Sequence, residues 1–420
     1  MERKYWESEI ETMPIGELKK LQEERLKAIV AHAYEKSAFY RRKFDQAGIK
    51  PSDINSVGDL SKLPLTEDAE MRQRPMKEKL AVPWEEVKHY CSTSGTTGAP
   101  EPIPFTRNDF ERGCINNLCR ATWAMGLRPI DVAQNLSGFV CFSRVSEALG
   151  ATALKEHAGR GNLDNQIMLA KTTGVTVLEH LPSLALQYFD RAKELGIDLN
   201  VRLVIGLGEP WAESYKKRVE EEYGVTFKSA YGLTEAGELS GECEYGGGMH
   251  ISADTCILEV IDPETHQVLA PGQEGELVVT NFFRRAVPRI RFRTSDITKI
   301  LPYEPCPCGR THPKMAAVKG RLSYVINVRG RKLFPVDVEE VLGSISDLGH
   351  EYQIIRDRPG EQERLEVRVE HRPDVKRLDD LENRLKEEFN QKLGVPSEVE
   401  LVPVGSIGRA LFKAQRIVAT

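Results

Sequence analysis

Val175-Thr176-Val177-Leu178-Glu179-His180-Leu181 is a short apolar run, closed by Pro182 and followed by the helical pattern of Ser183–Leu195 and a second run, Val201-Arg202-Leu203-Val204-Ile205-Gly206. Runs of this length, rich in Val and Ile, predict buried strands, and the amphipathic segment between them predicts a helix. The alternation continues outward. Val132–Phe142 reads as strand and Leu163–Thr173 as helix on one side; Glu213–Tyr223 reads as helix and Val225–Tyr231 as strand on the other. Strand–helix alternation at this spacing predicts βαβ units and mostly parallel sheets, so the fold class is α/β.

Upstream, Leu18, Leu21, Leu26, Ile29, Val30 and Ala33 recur at helical steps and predict a helix over 15–47. After Ser252 the pattern changes to Cys256–Ile261, the turn Asp262-Pro263-Glu264 and Gly275–Thr280, which predicts antiparallel strands in a β-rich subdomain. Residues 324–420 read as a small α+β unit, with Tyr324–Val328 and Lys332–Phe334 flanking Gly330 and helices at Val336–Ile345 and Val375–Leu393. The expected division is a large N-terminal domain, 1–322, and a small mobile C-terminal domain, 323–420.

The composition narrows the function. Lys and Arg number 58 against 63 Asp and Glu, for a net charge of −5, and the basic residues are dispersed. No nucleic-acid partner is expected from that balance. No apolar stretch nears the ~20 residues of a membrane span, and the charged N-terminus has no signal-like apolar core. Eight cysteines in 420 residues are too sparse for a disulfide scaffold, so a cytoplasmic chain with reduced thiols is expected.

The segment richest in chemistry is Ser92-Thr93-Ser94-Gly95-Thr96-Thr97-Gly98, with five hydroxyls and two glycines in seven residues. Such a loop can present N–H and O–H donors to phosphate oxygens without side-chain obstruction. It lacks the Gly-Lys-Ser/Thr ending of a Walker A loop, and alone it reads as readily as an exposed polar turn. Downstream, in order, come Tyr231-Gly232-Leu233-Thr234-Glu235, Arg293-Thr294-Ser295-Asp296, Gly320-Arg321 and Lys413. With these motifs the chain resembles the adenylate-forming (acyl-CoA synthetase) superfamily. Tyr5-Trp6, Gly208-Glu209-Pro210-Trp211, Glu242-Cys243-Glu244 and Cys308-Gly309-Arg310-Thr311-His312 narrow the likeness to the phenylacetate–CoA ligase family, over essentially the whole chain.

The resemblance implies ATP-dependent activation of an aromatic acid to an acyl-adenylate, then transfer to coenzyme A. The acid is already an anion, so the task is to bring two anions together and stabilise charge growing on phosphorus. Ser92–Gly98 would hold the outer phosphates. Glu235 would bind Mg²⁺, a hard cation that prefers oxygen ligands, with Thr234 at the α-phosphate. Asp296 and Arg321 would meet the ribose, Gly208, Glu209 and Pro210 would wall the adenine, and Tyr231, beside Gly232, would stack on it. Lys413 would act as a mobile point charge on the α-phosphate. Phe139, Phe142 and Arg144 would line the acid pocket, Ser323 would be the hinge, and Gly330 would flank the coenzyme A tunnel. A homodimer is implied as well.

Cys306-Pro307-Cys308, Cys243 and His250 supply four N/S ligands of the kind tetrahedral Zn²⁺ favours, although the spacing is not that of a zinc finger. The family's metal-binding Cys/His residues in these segments imply structural zinc, with His312 a rival fourth ligand. Three departures stand out: Ala99 where a lysine is common, Ser323 in place of a charged hinge residue, and Phe412 where a glycine precedes the tail lysine. An adenylating ligase serving an amine or a carrier-protein thiol, or a non-catalytic nucleotide-binding relative, are the rival functions.

Overall fold

The computed structural model describes residues 3–93, 100–136, 141–155, 162–356, 360–409 and 413–419. The chain packs as two compact units, Met1–Ile130 with Val140–Thr152 and Lys228–Ala316, and Asp131–Phe139 with Ala153–Phe227 and Ala317–Thr420.

In the first unit the expected helix over 15–47 is two helices, Ile15–Lys36 and Ala38–Gln46. The break is at Ser37, whose backbone is extended and whose side chain accepts a hydrogen bond from the Tyr40 N–H, making it the N-cap of the second helix. Leu18, Leu26, Ile29, Val30 and Ala33 form the buried stripe. An antiparallel hairpin joins Val87–Ser92 to Pro102–Thr106. Cys256–Ile261, Gly275–Asn281 and Phe292–Thr298 form an antiparallel meander, as the turn chemistry predicts. Cys141–Ala148 is a helix, not the end of a strand beginning at Val132. Phe142 and Val145 fall on one face of this helix and are buried there, so the expected strand is confined to Val132–Asn135 at its start.

The second unit is built on the parallel strands Val132–Asn135, Val177–His180 and Leu203–Gly206. Helices Leu163–Thr173, Pro182–Glu194 and Glu213–Tyr223 follow the order read from the sequence. Leu178, Val204, Leu186, Tyr188, Tyr215, Val219 and Phe227 share one core. Gly206, the last residue of its strand, lies so close to the Phe227 ring that a Cβ there would sit 2.3 Å from it. Gly208-Glu209-Pro210 follows at the carboxyl end of the parallel strands, where ligands of open α/β sheets bind.

The C-terminal part of this unit has its own core of Val338, Val341, Leu348, Tyr352, Ile354, Val367, Leu385 and Phe389. Leu348–Arg356 runs antiparallel to Leu365–His371 and parallel to the final strand, Ile417–Ala419. It meets helix Glu213–Tyr223 through polar contacts. Tyr215 donates to the His350 carbonyl (2.6 Å), Ser214 to the Glu340 carbonyl (2.9 Å), Arg218 to the carbonyls of Ile345 and Leu348, and Arg372 pairs with Glu222 (2.6 Å).

Candidate active site and metal centre

The expected phosphate loop hangs from the hairpin Val87–Ser92/Pro102–Thr106, with Ser92 opposite Pro102. Below the loop, the Thr93 N–H donates to the Glu101 carbonyl (3.1 Å) and the Glu101 N–H to the Thr93 hydroxyl (2.9 Å). The Glu101 carboxylate is buried against Lys79 at 2.6 Å. Breaking that pair would leave a buried charge uncompensated, so it pins one neck of the loop. Ser94, Gly95, Thr96, Thr97, Gly98 and Ala99, like Phe139 and Phe412, lie outside the described residues.

Thr234, Glu235 and Ala236 form a tight turn between strands Thr226–Leu233 and Gly237–Glu242, closed by the Ala236 N–H on the Leu233 carbonyl. Gly232 allows the two strands to meet, since a Cβ there would sit 2.7 Å from the Gly237 carbonyl oxygen. Tyr231 donates to Asp296 Oδ2 at 2.7 Å, which brings two of the expected nucleotide residues together. Asp296 is buried, and its N–H is satisfied by the Thr294 hydroxyl. Ser295 takes a left-handed φ of 63°, its N–H donating to Glu276, which Arg293 also clamps. Arg72, held in its charged form first by Asp68, also feels Glu101 and Glu235. Glu235 is half-buried and within electrostatic reach of Arg72.

In the second unit, Gly208 takes a φ of 79° and Glu209 turns back toward helix Pro182–Glu194. Its carboxylate accepts the Ser183 N–H (3.0 Å), the Ser183 hydroxyl (3.0 Å) and the Ala414 N–H (2.7 Å). Lys413, beside Ala414, is half-buried. The tail beyond is anchored by Arg416 on Glu351 at 2.7 Å. Arg321 follows Gly320, where a Cβ would press on the Phe334 ring at 3.1 Å. Ser323 is exposed in the single turn Leu322–Tyr324. Arg329 and Gly330, with φ of 47° and 81°, make the two-residue turn of the hairpin Ile326–Val328/Arg331–Leu333, a geometry that favours glycine.

Of the acid-pocket candidates, Phe142 is buried on its helix. Arg144 is exposed, ion-paired to Glu111 at 2.6 Å and stacked over the Phe110 ring, so its guanidinium is engaged at the surface. Ser183 was read from the sequence only as the start of a helix. The signal that could have singled it out is its place just after a parallel strand, where a hydroxyl at a helix start can hold an acidic partner from the next strand's loop.

Cys243, His250, Cys306 and Cys308 are all buried, with their ligand atoms within 4.8 Å of one another. Cys243 Sγ lies 3.7 Å from Cys306 Sγ, and Cys308 Sγ lies 3.4 Å from His250 Nε2. A tetrahedron with Zn–S of about 2.3 Å has S–S edges of about 3.8 Å, and the Cys243–Cys306 separation is close to such an edge. His250 Nδ1 faces the His312 carbonyl at 3.0 Å, which directs Nε2 to the cluster. Contact with Cys243 and His250 holds Cys308 well below the ordinary thiol range, while the same contact and burial push Cys243 up. Both ring nitrogens of His312 face backbone carbonyls, of Ile251 (2.9 Å) and Ile10 (3.0 Å), and that ring stands outside the four-ligand cluster.

The chain matches the AMP-binding enzyme family model over residues 14–282 and the AMP-binding enzyme C-terminal domain model over 330–420. It is 33% identical to the phenylacetate–coenzyme A ligase of Thermus thermophilus, over 96% of this chain and 97% of that one. It is 32% identical to the Escherichia coli K12 enzyme of the same name, over 97% and 96%. A crystal structure of 2-hydroxyisobutyryl-CoA ligase in the postadenylation state, with 2-HIB-AMP, matches with a TM-score of 0.91 at 27% identity, over 100% of this chain and 93% of that one. The thioesterification state of that ligase, with 2-HIB-AMP and CoA, matches with a TM-score of 0.72 at 28% identity, over 99% and 92%. This chain belongs to the phenylacetate–coenzyme A ligase family of the AMP-binding, adenylate-forming enzymes.

Proposed function

We propose that the protein is an AMP-forming acid–CoA ligase acting on a phenylacetate-like aromatic acid. The observation that carries this reading is the match, along nearly the full length of both chains, to phenylacetate–coenzyme A ligases. In the first half-reaction a carboxylate oxygen of the acid attacks the α-phosphorus of ATP and pyrophosphate leaves. In the second, the coenzyme A thiolate attacks the acyl carbon and AMP leaves with the electron pair.

The residue roles follow from the chemistry each step needs. Thr93, fixed at the neck of its loop, is suited to orient hydroxyl and N–H donors toward the outer phosphates. Asp296, pre-oriented by Tyr231, suits the ribose hydroxyls. Glu235 and Thr234 share one turn, the carboxylate available to Mg²⁺, which would neutralise phosphate charge. Lys413 supplies positive charge for the α-phosphate from the small domain, 323–420, which we assign as the moving part about Ser323. The higher likeness to the postadenylation structure supports assigning the Ala414–Glu209 contact to the first geometry.

Cys243, His250, Cys306 and Cys308 would hold one Zn²⁺ as a structural tie. No helix among the described residues is long and apolar enough to cross a membrane. None of the eight cysteines is disulfide-bonded, which supports placement in the reducing cytoplasm. The test is pyrophosphate release over a panel of aromatic acids and 2-hydroxyisobutyrate, with and without CoA. Release with an aryl acid and a CoA thioester as product is expected. Release without any thioester would move the acceptor to an amine or carrier thiol, and no release with any acid would leave a non-catalytic nucleotide binder.

A further inference from the structure

Tail residues such as Lys413 lose several freely rotating bonds when they are fixed over a reacting phosphate. Ordering the backbone and the long lysine side chain costs conformational entropy. A backbone hydrogen bond beside the lysine offsets part of that cost. The residue after Lys413 donates its N–H to Glu209 Oε1 at 2.7 Å, the shortest of the three bonds that carboxylate accepts. The other two come from one residue, Ser183, at the start of the thirteen-residue helix Pro182–Glu194, where the N-terminal dipole favours a negative charge. The carboxylate is thus held before the tail arrives. On the other side, Ala414 is followed by Arg416, bound to Glu351, and by the strand Ile417–Ala419.

We propose that Glu209 is a positioning residue for Lys413: fixed by Ser183, it grips the Ala414 N–H and holds the tail lysine in the geometry of the first half-reaction. This rests on the ligase reading above. It also assigns the acidic residue of Gly208-Glu209-Pro210 a task that an adenine wall does not need, since backbone and glycine suffice for a wall. The bond must break when the small domain moves for thioester formation, so Glu209 distinguishes the two steps.

The test compares Glu209→Ala, Glu209→Gln and Ser183→Ala in the full-length protein. Three quantities are read: hydrogen–deuterium exchange of the C-terminal peptide without ligands, ATP–pyrophosphate exchange with phenylacetate, and thioester formation from supplied phenylacetyl-adenylate and CoA. In Glu209→Ala, exchange across Ala414–Ala419 is expected to rise. Its adenylation kcat should fall about tenfold more than thioesterification, with KM for ATP changing by less than roughly threefold. Glu209→Gln, which keeps one acceptor oxygen, and Ser183→Ala, which leaves the Ser183 N–H, should fall between wild type and Glu209→Ala. A rise in KM for ATP with kcat preserved would reduce Glu209 to a nucleotide wall and overturn the proposal. Equal loss in both half-reactions, or unchanged tail exchange, would overturn it too. The exchange readout needs no substrate: a tail that loosens in a protein inactive on every acid would sink the ligase reading and keep the grip, and the reverse would sink the grip alone.

Discussion

At the scale of single residues, the cluster of Cys243, His250, Cys306 and Cys308 carries the firmest chemical expectation. Four buried N/S ligands within 4.8 Å of one another, with His250 oriented by the His312 carbonyl, bind zinc only as thiolates and neutral imidazole. Purified protein is expected to contain about one zinc per chain, and Cys308→Ser to lose it, with Tm falling by roughly 5 °C or more. Elemental analysis with calorimetry checks both; full zinc content in the variant would discount the site. Lys413 gives the second expectation at this scale. Lys413→Ala should lower adenylation by about a hundredfold or more, as removal of one preorganised charge does, while sparing thioester formation from supplied adenylate. Half-reaction assays would show equal losses if the lysine were merely structural. Residue type and spacing alone single out neither group; the likeness of their surrounding segments to the family makes both legible as candidates. Ser183 is not singled out by its residue type, because a serine at a helix start is common; its place after a parallel strand is the sequence signal, and the contact with Glu209 gives it meaning.

Among elements, the parallel strands and their helices were read nearly to the residue, because apolar runs and amphipathic segments alternate cleanly from Leu163 to Tyr223. Two readings run past the element they name. The helix over 15–47 divides where Ser37 caps a second helix, and of Val132–Phe142 the strand is Val132–Asn135 while Cys141 and Phe142 open a helix. Neither periodicity nor composition announces how elements dock. Gly343, just after helix Pro335–Leu342, illustrates this: a Cβ there would lie 2.5 Å from the Tyr215 nitrogen and 2.6 Å from Ser214 Oγ. The Tyr215 backbone cannot yield cheaply, so Gly343→Ala should lever this helix from helix Glu213–Tyr223. The expected cost is about 2–3 kcal/mol of stability, in the range of overpacked cores. Chemical denaturation measures it, and a loss under about 0.5 kcal/mol would show that the helices separate without consequence.

Across the whole molecule, pH provides a handle on the packing of the C-terminal part within its unit. Glu339 is buried where it accepts from the Ala212 N–H (3.3 Å) and the Tyr352 hydroxyl (2.9 Å), with Arg416 Nε at 3.8 Å. Burial, only partly offset by Arg416 and these donors, raises its pKa from 4.5 to about 7. An acid whose pKa is raised on folding favours the folded state in its protonated form. That stability is present in full below 4.5 and is lost as pH rises through about 7. At 1.36 kcal/mol per unit, the span amounts to about 3 kcal/mol. His350 works in the opposite sense. Burial and the nearby Arg218, Arg372, Arg409 and Arg416 lower its pKa from 6.5 to about 3, so its share of stability is gained as pH rises to 6.5 and is constant above. The two slopes partly cancel between pH 4.5 and 6.5, and only Glu339 acts above that window. Glu339→Gln keeps an acceptor for Tyr352 and removes the titration, so its Tm should exceed that of wild type at pH 8 and the gap should shrink toward pH 5. A gap independent of pH would show that Glu339 is ionised throughout, with Arg416 outweighing burial.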